Sequence, residues 1–364
     1  MMAKRDHTLI TGGAGFVGSN LADALLSAGE KVIVADNFSR EGVRLNAAWL
    51  KRRHGERVRI ETVDVRDAAR VRPLVRESRR VFHLAAQVAV TTSLVDPALD
   101  LETNVLGTFN VLEAARTMLN PPAVLFTSTN KVYGGMEEVA VALDEGRYRY
   151  ADGRRGITEE ARLDFHSPYG CSKGAADQYV HDYARIYGLP TVVFRMSCIY
   201  GTRQFGTEDQ GWVAHFARAL LSGEPVTIYG DGNQVRDILW IDDLVRLMRA
   251  AMDDVDTVAG EVFNVGGGAG NAVSVRGVIE RLRELTGSRV PVTFSDWRPG
   301  DQKVYVSDTS KAERVLGWKP QTRWEDGLGK LVEWLREADL AATPVIPMIE
   351  PAAVEAPVLA QATR

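Results

Sequence analysis

A tyrosine and a lysine stand four residues apart in the segment YGCSK, residues 169–173. On a helix these two side chains share one face, and Pro168 suits the first turn of such a helix. A free tyrosine has a pKa of about 10, which a neighbouring ammonium lowers. The spacing therefore predicts that Tyr169 is a general base and that Lys173 lowers its pKa. Taken alone, the same pair also fits a solvent-exposed helix face.

Hydroxyl and amide side chains follow one another at the end of a β-type run, in the segment TSTN at residues 127–130. In open α/β sheets, ligands bind at the carboxyl ends of the strands. The Thr129 hydroxyl would hydrogen-bond a reacting oxygen there and share its proton. The alternative is that these side chains only cap a turn.

The strongest local motif is TGGAGFVG at residues 11–18, between a predicted strand and a predicted helix. Its glycines permit a tight turn, a close approach of the main chain to a pyrophosphate, and close packing of helix on sheet. Asp36 ends the next predicted strand. A carboxylate there accepts both ribose hydroxyls and repels a 2′-phosphate, so the pattern favours NAD over NADP. Arg40 lies close by and slightly weakens that preference.

The residues predicted to bind NAD lie in the glycine turn and at the ends of the following strands. Asp64 ends the third strand, where it would bind the adenine amino group or, alternatively, cap the following helix. The predicted cofactor set is Gly12, Gly15, Phe16, Val17, Gly18, Asp36, Asn37, Arg40, Asp64, Val65, Leu84, Ala85, Ala86, Gln87, Asn104, Tyr169 and Lys173.

Runs rich in β-branched residues alternate with helical stretches over the first two thirds of the chain. The runs lack polar alternation, as expected for strands that are covered on both faces. This pattern predicts an α/β fold with a doubly wound parallel sheet of the Rossmann type. The predicted strands are His7–Thr11, Lys31–Asp36, Arg57–Asp64, Val81–Ala85, Ala123–Ser128 and Thr191–Ser197.

The pattern loosens beyond about residue 201, where short strands alternate with helices and polar loops. We interpret residues 1–200 as an NAD-binding domain, with shared segments from 230–270, and residues 201–338 as a smaller C-terminal substrate-binding lobe. The 35-residue connection between Tyr133 and Tyr169 is predicted to be a loop over the substrate site, or else a solvated insertion. The Pro- and Ala-rich residues 339–364 are predicted to be a flexible tail or, alternatively, a strap that packs on a neighbouring subunit.

Composition excludes several classes of protein. The 364 residues carry 44 Lys plus Arg and 48 Asp plus Glu, so the net charge is 44 − 48 = −4 and gives no case for a nucleic-acid partner. Two cysteines are too few for a disulfide framework, and neither they nor the histidines show metal-ligand spacing, so no metal is expected. The same scarcity of cysteines predicts a reducing, cytoplasmic location. No apolar run approaches the roughly 18 residues of a membrane span, so we expect no membrane contact.

Together these motifs resemble the extended short-chain dehydrogenase/reductase superfamily, in its NAD-dependent sugar-nucleotide epimerase/dehydratase branch. The resemblance covers roughly residues 7–335 and includes TGGAGFVG, HLAAQ, NVLGT, TSTNKVYG, YGCSK, FRMSCIYG, VRDILWIDD and RPGD. It implies that Thr129, Tyr169 and Lys173 are the catalytic residues, that NAD is tightly bound, and that the substrate is a nucleotide sugar. It also implies a homodimer or homotetramer, with a helix at residues 104–118 as a candidate contact.

A longer run, LDFHSPYGCSKGAADQY at residues 163–179, resembles the subgroup of this branch that inverts C2 of a CDP-hexose. That resemblance implies transient oxidation at C2 and return of the hydride to the other face. Arg236 and Arg298 match arginines that hold the substrate diphosphate, a task that suits the guanidinium fork. The alternative for each arginine is a surface or interdomain salt bridge. The predicted substrate-binding residues are Gln87, Ser128, Thr129, Asn130, Cys198, Arg203, Gln204, Gln210, Arg236 and Arg298.

At two positions this chain differs from the motifs of related enzymes, and each difference argues against one alternative activity. Cys198 replaces an Asn that is usual in UDP-sugar epimerases, which argues against a standard UDP-galactose 4-epimerase. Dehydratases usually carry Asp–Glu directly after the catalytic Thr, whereas this chain has Asn130 and Lys131 there, which disfavours a 4,6-dehydratase. A non-catalytic NAD-sensing protein is a third alternative, and the intact Thr–Tyr–Lys set argues against it.

Overall fold

The computed structural model describes residues 5–40, 42–298 and 301–338. The strands are β1 His7–Thr11, β2 Lys31–Asp36, β3 Val58–Thr62, β4 Ser78–His83, β5 Ala123–Thr129, β6 Val141–Asp144, β7 Arg147–Tyr150, β8 Thr191–Met196, β9 Cys198–Tyr200, β10 Val226–Tyr229, β11 Val235–Trp240, β12 Val262–Val265, β13 Ala272–Ser274, β14 Val292–Ser295 and β15 Val304–Tyr305. The helices are α1 Phe16–Ser27, α2 Val43–His54, α3 Ala68–Arg76, α4 Val90–Val95, α5 Pro97–Leu101, α6 Gly107–Arg116, α7 Ser167–Tyr187, α8 Trp212–Ser222, α9 Ile241–Asp253, α10 Val255–Val258, α11 Val275–Thr286, α12 Ser310–Leu316 and α13 Trp324–Glu337.

A parallel seven-stranded sheet in the order β12-β8-β5-β4-β1-β2-β3 forms the centre of the molecule. The predicted doubly wound α/β fold is confirmed, and each of the six predicted strands is present. The strand order reverses between β1 and β4, and such reversal points create the crevice in which ligands bind. The prediction placed β4 too late, because it begins at Ser78 rather than Val81.

The seventh strand of this sheet comes from far along the chain. β12 pairs in parallel with β8, so that Val262 lies opposite Val193 and Val265 opposite Met196. Hydrophobic core residues of α8, α9, α11 and α13 continue the core beneath this half of the sheet. The boundary between an NAD-binding domain and a substrate-binding lobe stays a prediction.

The second group of strands stands beside the carboxyl edge of the main sheet. β11 pairs with β13, β15 and β9, while β10 pairs with β14. β9 begins only two residues after β8 ends, and this short link leads the chain from the main sheet to β11. The arrangement brings residues of β9 and β11 next to the end of β5.

The connection between Tyr133 and Tyr169 contains a β-hairpin, β6–β7, rather than only a loop. The hairpin turns at Glu145 and Gly146, both of which have positive φ. Tyr150 is buried, and its hydroxyl accepts a hydrogen bond from the Val306 main chain, 3.1 Å away. Tyr150 packs the hairpin onto the protein, whereas residues 151–155 are exposed. The covering loop and the solvated insertion both stay predictions.

Some expectations concern features that the structure describes only in part. The predicted helix at residues 104–118 divides into a π-helical turn, Glu102–Leu106, and α6. The predicted tail, residues 339–364, lies outside the described residues.

In the described ranges, no helix has both the length and the apolar character needed to cross a bilayer. The same ranges contain no cluster of three or more His, Cys, Asp or Glu side chains that is arranged to hold a metal ion.

Candidate active site

Helix α7 carries Tyr169 and Lys173 on its buried face. The helix begins at Ser167 with Pro168 in its first turn, as predicted. The Tyr169 main-chain N–H donates to the Ser93 hydroxyl of α4, 3.1 Å away, which fixes the start of the helix. Tyr169 is 8% exposed and Lys173 is 3% exposed, so the alternative of a solvent-exposed helix face is wrong.

The Lys173 ammonium points at the end of β5. It donates to the Thr127 carbonyl oxygen, 2.6 Å away, and lies 4.1 Å from the centre of the Phe126 ring. Burial lowers the pKa of Lys173 to about 7, although the negative charges of Asp177 and Asp100 act to raise it. The ammonium is therefore poorly solvated and is held in place by a carbonyl dipole.

Thr129 ends β5 and faces Tyr169. Its hydroxyl accepts from the Lys131 main-chain N–H at 3.2 Å, because the chain turns there into a 3-10 helix. Burial raises the pKa of Tyr169 to about 12, although a hydrogen bond with Thr129 acts to lower it. The structure therefore brings Thr129, Tyr169 and Lys173 together. The neighbouring Ser128 hydroxyl is buried and makes no hydrogen bond within the described residues.

The glycine turn between β1 and α1 has the geometry of an anion cradle. Gly12 has φ +67°, and a Cβ on it would lie 2.7 Å from the Ala85 main-chain nitrogen. A Cβ on Gly18 would overlap the Gly12 carbonyl oxygen. Only glycines allow the main chain to pass this closely, and the start of α1 leaves N–H groups directed toward a bound anion.

Asp36 ends β2 beside this turn. One carboxylate oxygen accepts from the Ala14 main-chain N–H at 3.1 Å and the other from Phe38 at 2.9 Å. Burial raises the pKa of the Asp36 carboxyl. Each oxygen keeps a lone pair for a ribose hydroxyl, so the cradle and the carboxylate together fit NAD. The charge of Arg40 also acts on this carboxylate.

Asp64 follows β3 at the next strand along the edge. Its carboxylate accepts from Asn37 Nδ2 at 3.0 Å and pairs with Arg66, and the Arg66 hydrogen bond lowers its pKa to about 2. The alternative that Asp64 caps a helix is wrong, because α3 begins at Ala68 and its cap is Asp67. Val65 is buried against Gly107, where a Cβ would not fit without a shift.

The residues after β4 are fixed by Asn104. Its side chain accepts from the Gln87 main-chain N–H at 2.9 Å and donates to the Gln87 carbonyl at 3.0 Å. These two hydrogen bonds fix the main chain that runs beside the glycine turn, at residues Leu84, Ala85 and Ala86. The Gln87 amide bonds to Ala89 and Asp100, so it is committed to the protein rather than free for a ligand.

The two predicted diphosphate arginines each face a carboxylate. Arg236 donates to Asp301 Oδ1 at 2.6 Å, and Arg298 lies 3.2 Å from Asp209 Oδ1. The Lys131 ammonium lies 3.8 Å from the same Asp301 oxygen. These contacts match the salt-bridge alternative, and they place two cations, Arg236 and Lys131, at the same carboxylate of Asp301.

The remaining predicted substrate residues divide into two groups. The side-chain oxygens of Gln204 and Gln210 are buried without a hydrogen-bond donor among the described residues, and burial raises the pKa of the Cys198 thiol beside Arg236. Arg203 instead lies over the Trp49 ring of α2, 3.0 Å from its centre, and burial lowers its pKa to about 10. The side chain of Arg203 thus lies toward α2, and its role in substrate binding stays a prediction.

Sequence reasoning missed several polar residues that shape this site. Asp177 and Arg195 form a buried ion pair behind Lys173, and Asp100 lies buried against Ser172. Arg195 stands in the apolar strand β8, and that lone charge is the signal that could have found it. Asp100 and Asp177 leave no comparable signal in the sequence. Asp301 stands in the RPGD motif, and that motif is the signal that could have found it.

Comparison with known proteins supports the same set of motifs. The sequence profile of the GDP-mannose 4,6 dehydratase family matches residues 9–331. The CDP-paratose 2-epimerase of Salmonella typhi is 43% identical over 339 residues, which cover 90% of this chain and 98% of that protein.

Solved structures agree with the sequence comparison. The UDP-glucose 4-epimerase of Thermus thermophilus in complex with NAD is 33% identical with a TM-score of 0.76, covering 91% of this chain and 99% of that one. The UDP-glucuronic acid 4-epimerase of Bacillus cereus, in complex with UDP-glucuronic acid and NAD, is 28% identical with a TM-score of 0.79 and the same coverage. The chain therefore belongs to the GDP-mannose 4,6 dehydratase family, among the NAD-dependent sugar-nucleotide epimerases and dehydratases of the extended short-chain dehydrogenase/reductase superfamily.

Proposed function

We propose that the protein is an NAD-dependent epimerase that inverts C2 of a CDP-hexose, with CDP-paratose or a CDP-glucose-like sugar as substrate. The observation that carries this proposal is the 43% identity to a CDP-paratose 2-epimerase over nearly the full length of both chains. The buried Thr129, Tyr169 and Lys173 supply the acid–base groups that such a reaction needs.

NAD, when bound, would accept a hydride from C2 and return it to the opposite face of the sugar. Tyr169 takes the proton of the C2 hydroxyl as the carbonyl forms, and gives it back when the hydroxyl is restored. Thr129 hydrogen-bonds the same oxygen and holds it beside Tyr169. Lys173 contributes positive charge that favours the phenolate.

Burial keeps the proton on Tyr169 in the protein alone, where the pKa of about 12 leaves the phenol neutral at pH 7. A further positive charge close to the phenol would lower this pKa, because it stabilises the phenolate. An oxidised nicotinamide ring would supply such a charge, so we expect Tyr169 to give up its proton more readily when NAD is bound.

Arg236 and Arg298 are the side chains that would bind the substrate diphosphate. Asp301 and Asp209 hold Arg236 and Arg298 in place, and phosphate oxygens would take over these guanidinium contacts. Lys131 adds a third positive charge near Asp301. The substrate is thus held by its diphosphate while the sugar turns between the two hydride transfers.

A 4,6-dehydratase is the alternative within the family. That reaction also needs a carboxyl acid–base pair beside the sugar. The two residues directly after Thr129 are an amide and an ammonium side chain, Asn130 and Lys131, so this position lacks the pair. The epimerase is therefore the function that this site supports better.

Self-association is also part of the proposal. Helices α6 and α7 leave adjoining apolar side chains exposed, with Phe109 at 40%, Tyr179 at 47% and Tyr187 at 53%. The Phe109 and Tyr179 rings lie 6.4 Å apart and form one surface. Burial of this surface in a homodimer, or in a homotetramer that contains it, would remove apolar area from water. Light scattering of the purified protein measures the assembly.

An NMR time course of the purified protein tests the reaction. The samples contain CDP-paratose, CDP-glucose or UDP-glucose, with no NAD added. A new C2-inverted CDP-sugar supports both the reaction and retained NAD. Conversion of UDP-glucose to UDP-galactose alone would reject the CDP-sugar proposal and leave only the family.

A further inference from the structure

Asp100 is a fully buried carboxylate on α5, against the helix that carries the catalytic residues. Its exposed fraction is 0%. One oxygen accepts from the Ser172 hydroxyl at short range. The other accepts from Gln87 Nε2 at 3.1 Å and from Asn104 Nδ2 at 3.2 Å. Three neutral donors from three different segments therefore converge on one carboxylate.

Ser172 connects this carboxylate to the catalytic face of α7. Its hydroxyl contacts the Tyr169 carbonyl oxygen at 3.2 Å and lies 2.9 Å from Asn104 Nδ2. Ser172 directly precedes Lys173, so the Asp100 contact fixes the turn of helix that contains both catalytic side chains. The Lys173 ammonium itself donates to the Thr127 carbonyl, and the charge of Asp100 acts on Lys173 without a direct hydrogen bond being recorded between them.

We propose that Asp100 is a positioning residue of the epimerase site, whose carboxylate holds the Ser172 turn of α7 and favours the ammonium form of Lys173. The inference rests on the proposed function, because it assigns Asp100 a role through Tyr169 and Lys173. It adds a residue that itself touches neither substrate nor cofactor.

Two buried carboxylates act on Lys173, and Asp100 is the one whose charge also acts on Tyr169. Asp177 acts more strongly on Lys173 than Asp100 does, and it is paired with Arg195. Burial lowers the pKa of His83 to about 3, so that the ring is neutral and adds no charge at pH 7. Asp100 is held by three neutral donors. Burial raises the pKa of its carboxyl, while the Ser172 hydrogen bond and the charge of Lys173 act to lower it. In its ionised form the carboxylate favours the ammonium form of Lys173.

The negative charge of Asp100 also changes the pKa of Tyr169. A negative carboxylate raises the pKa of Tyr169 and raises the pKa of Lys173. Replacing it by a neutral group must lower both. Activity needs Tyr169 without its proton and Lys173 with its proton, so both limbs of the pH–rate profile move toward lower pH. A residue that only joined α5 to α7 would reduce the rate or the stability without moving both limbs together.

Asp100→Asn tests this directly, with Asp96→Asn as the matched control. Asp96 caps the same helix through Leu99 N and is exposed, so its replacement removes one charge without changing the buried cluster. The primary readout is the ultraviolet absorbance of the Tyr169 phenolate in the NAD-loaded protein, taken as the difference from a Tyr169→Phe background. It requires no substrate, so it tests the inference even in a protein that turns over no CDP-hexose.

We expect the phenolate midpoint of Asp100→Asn to fall by about one pH unit or more, and that of Asp96→Asn to stay unchanged. Ser172→Ala is a milder second variant, because it removes a donor that favours the ionised carboxylate. Its midpoint should fall in the same direction by a smaller amount. If Asp100→Asn does not fold, Ser172→Ala decides the question. An unchanged or raised midpoint, or the absence of a Tyr169 phenolate signal, overturns the inference.

Discussion

Arg195 of β8 and Asp177 of α7 form a two-pronged buried ion pair. Both nitrogen–oxygen distances, Nε to Oδ2 and one terminal nitrogen to Oδ1, are 2.9 Å. The guanidinium also donates to the Tyr133 hydroxyl at 3.1 Å. Asp177 lies one turn beyond Lys173, so the pair fastens the catalytic helix to the central sheet.

Removing one partner of this ion pair should destabilise the folded protein. Arg195→Met leaves the Asp177 carboxylate buried without its cation, and we expect a loss of about 3–5 kcal/mol in the free energy of unfolding. Arg185→Met is the control, because Arg185 pairs with Asp182 on the exposed face of the same helix and should cost at most about 1 kcal/mol. Chemical denaturation measures both. Equal losses would show that the buried pair does not fasten the helix.

Tyr169→Phe should remove most of the activity. The change deletes the proton-transfer group, which contributes roughly 10²–10⁴-fold to such reactions. We expect kcat to fall by that factor while bound NAD, measured by absorbance after denaturation, stays the same. Tyr187→Phe is the control, since it removes the same atom from a half-exposed side chain at the end of α7. A Tyr169→Phe variant with near-normal kcat would reject the role of the base.

Gly18→Ala should abolish retention of NAD. The added Cβ would collide with the Gly12 carbonyl, so α1 must move away from the glycine turn. Gly329→Ala in α13 is the control, because a Cβ there meets nothing within 4 Å. That variant should keep NAD and gain about 0.5–1 kcal/mol of stability, since alanine favours a helix. Full cofactor content in purified Gly18→Ala would contradict the predicted cradle.

Arg236→Gln should weaken substrate binding rather than the chemical step. A charged hydrogen bond contributes about 1.5–3 kcal/mol, which corresponds to a KM that rises roughly 10- to 100-fold. Arg281→Gln is the control, because that side chain pairs with Glu284 on the surface of α11. Steady-state kinetics with the nucleotide sugar separates KM from kcat. A fall in kcat at constant KM would remove Arg236 from the diphosphate site.

The sequence predicted those parts of the structure that depend on local pattern. The β-branched runs located the parallel sheet, and the four-residue spacing placed Tyr169 and Lys173 on one helix face, whose burial only the structure shows. The hairpin β6–β7 was missed, although the dipeptide Glu145-Gly146 between two short runs is a turn signal. Asp100 could not be found from the sequence, because its partners come from segments that only the tertiary fold brings together.

The pKa of Lys173 also predicts how stability depends on pH. Its value is about 7 in the folded protein, against about 10.4 in an unfolded chain. Below pH 7 both states carry the proton, and the folded state bears the full cost of the buried charge, on the order of 4 kcal/mol. Between pH 7 and about 10.4 the unfolded state binds more protons, so this cost fades as the pH rises.

Lys173→Met isolates this effect in cofactor-free protein. The variant should be more stable than the natural chain at pH 6.5, and its advantage should shrink by up to about 1.4 kcal/mol per pH unit above pH 7. Lys330→Met in α13 is the control, because it makes the same substitution at an exposed lysine. Chemical denaturation at three pH values between 6.5 and 9.5 measures the slope. An advantage that stays constant with pH would show that Lys173 keeps its proton throughout this range, and that the neighbouring carboxylates outweigh its burial.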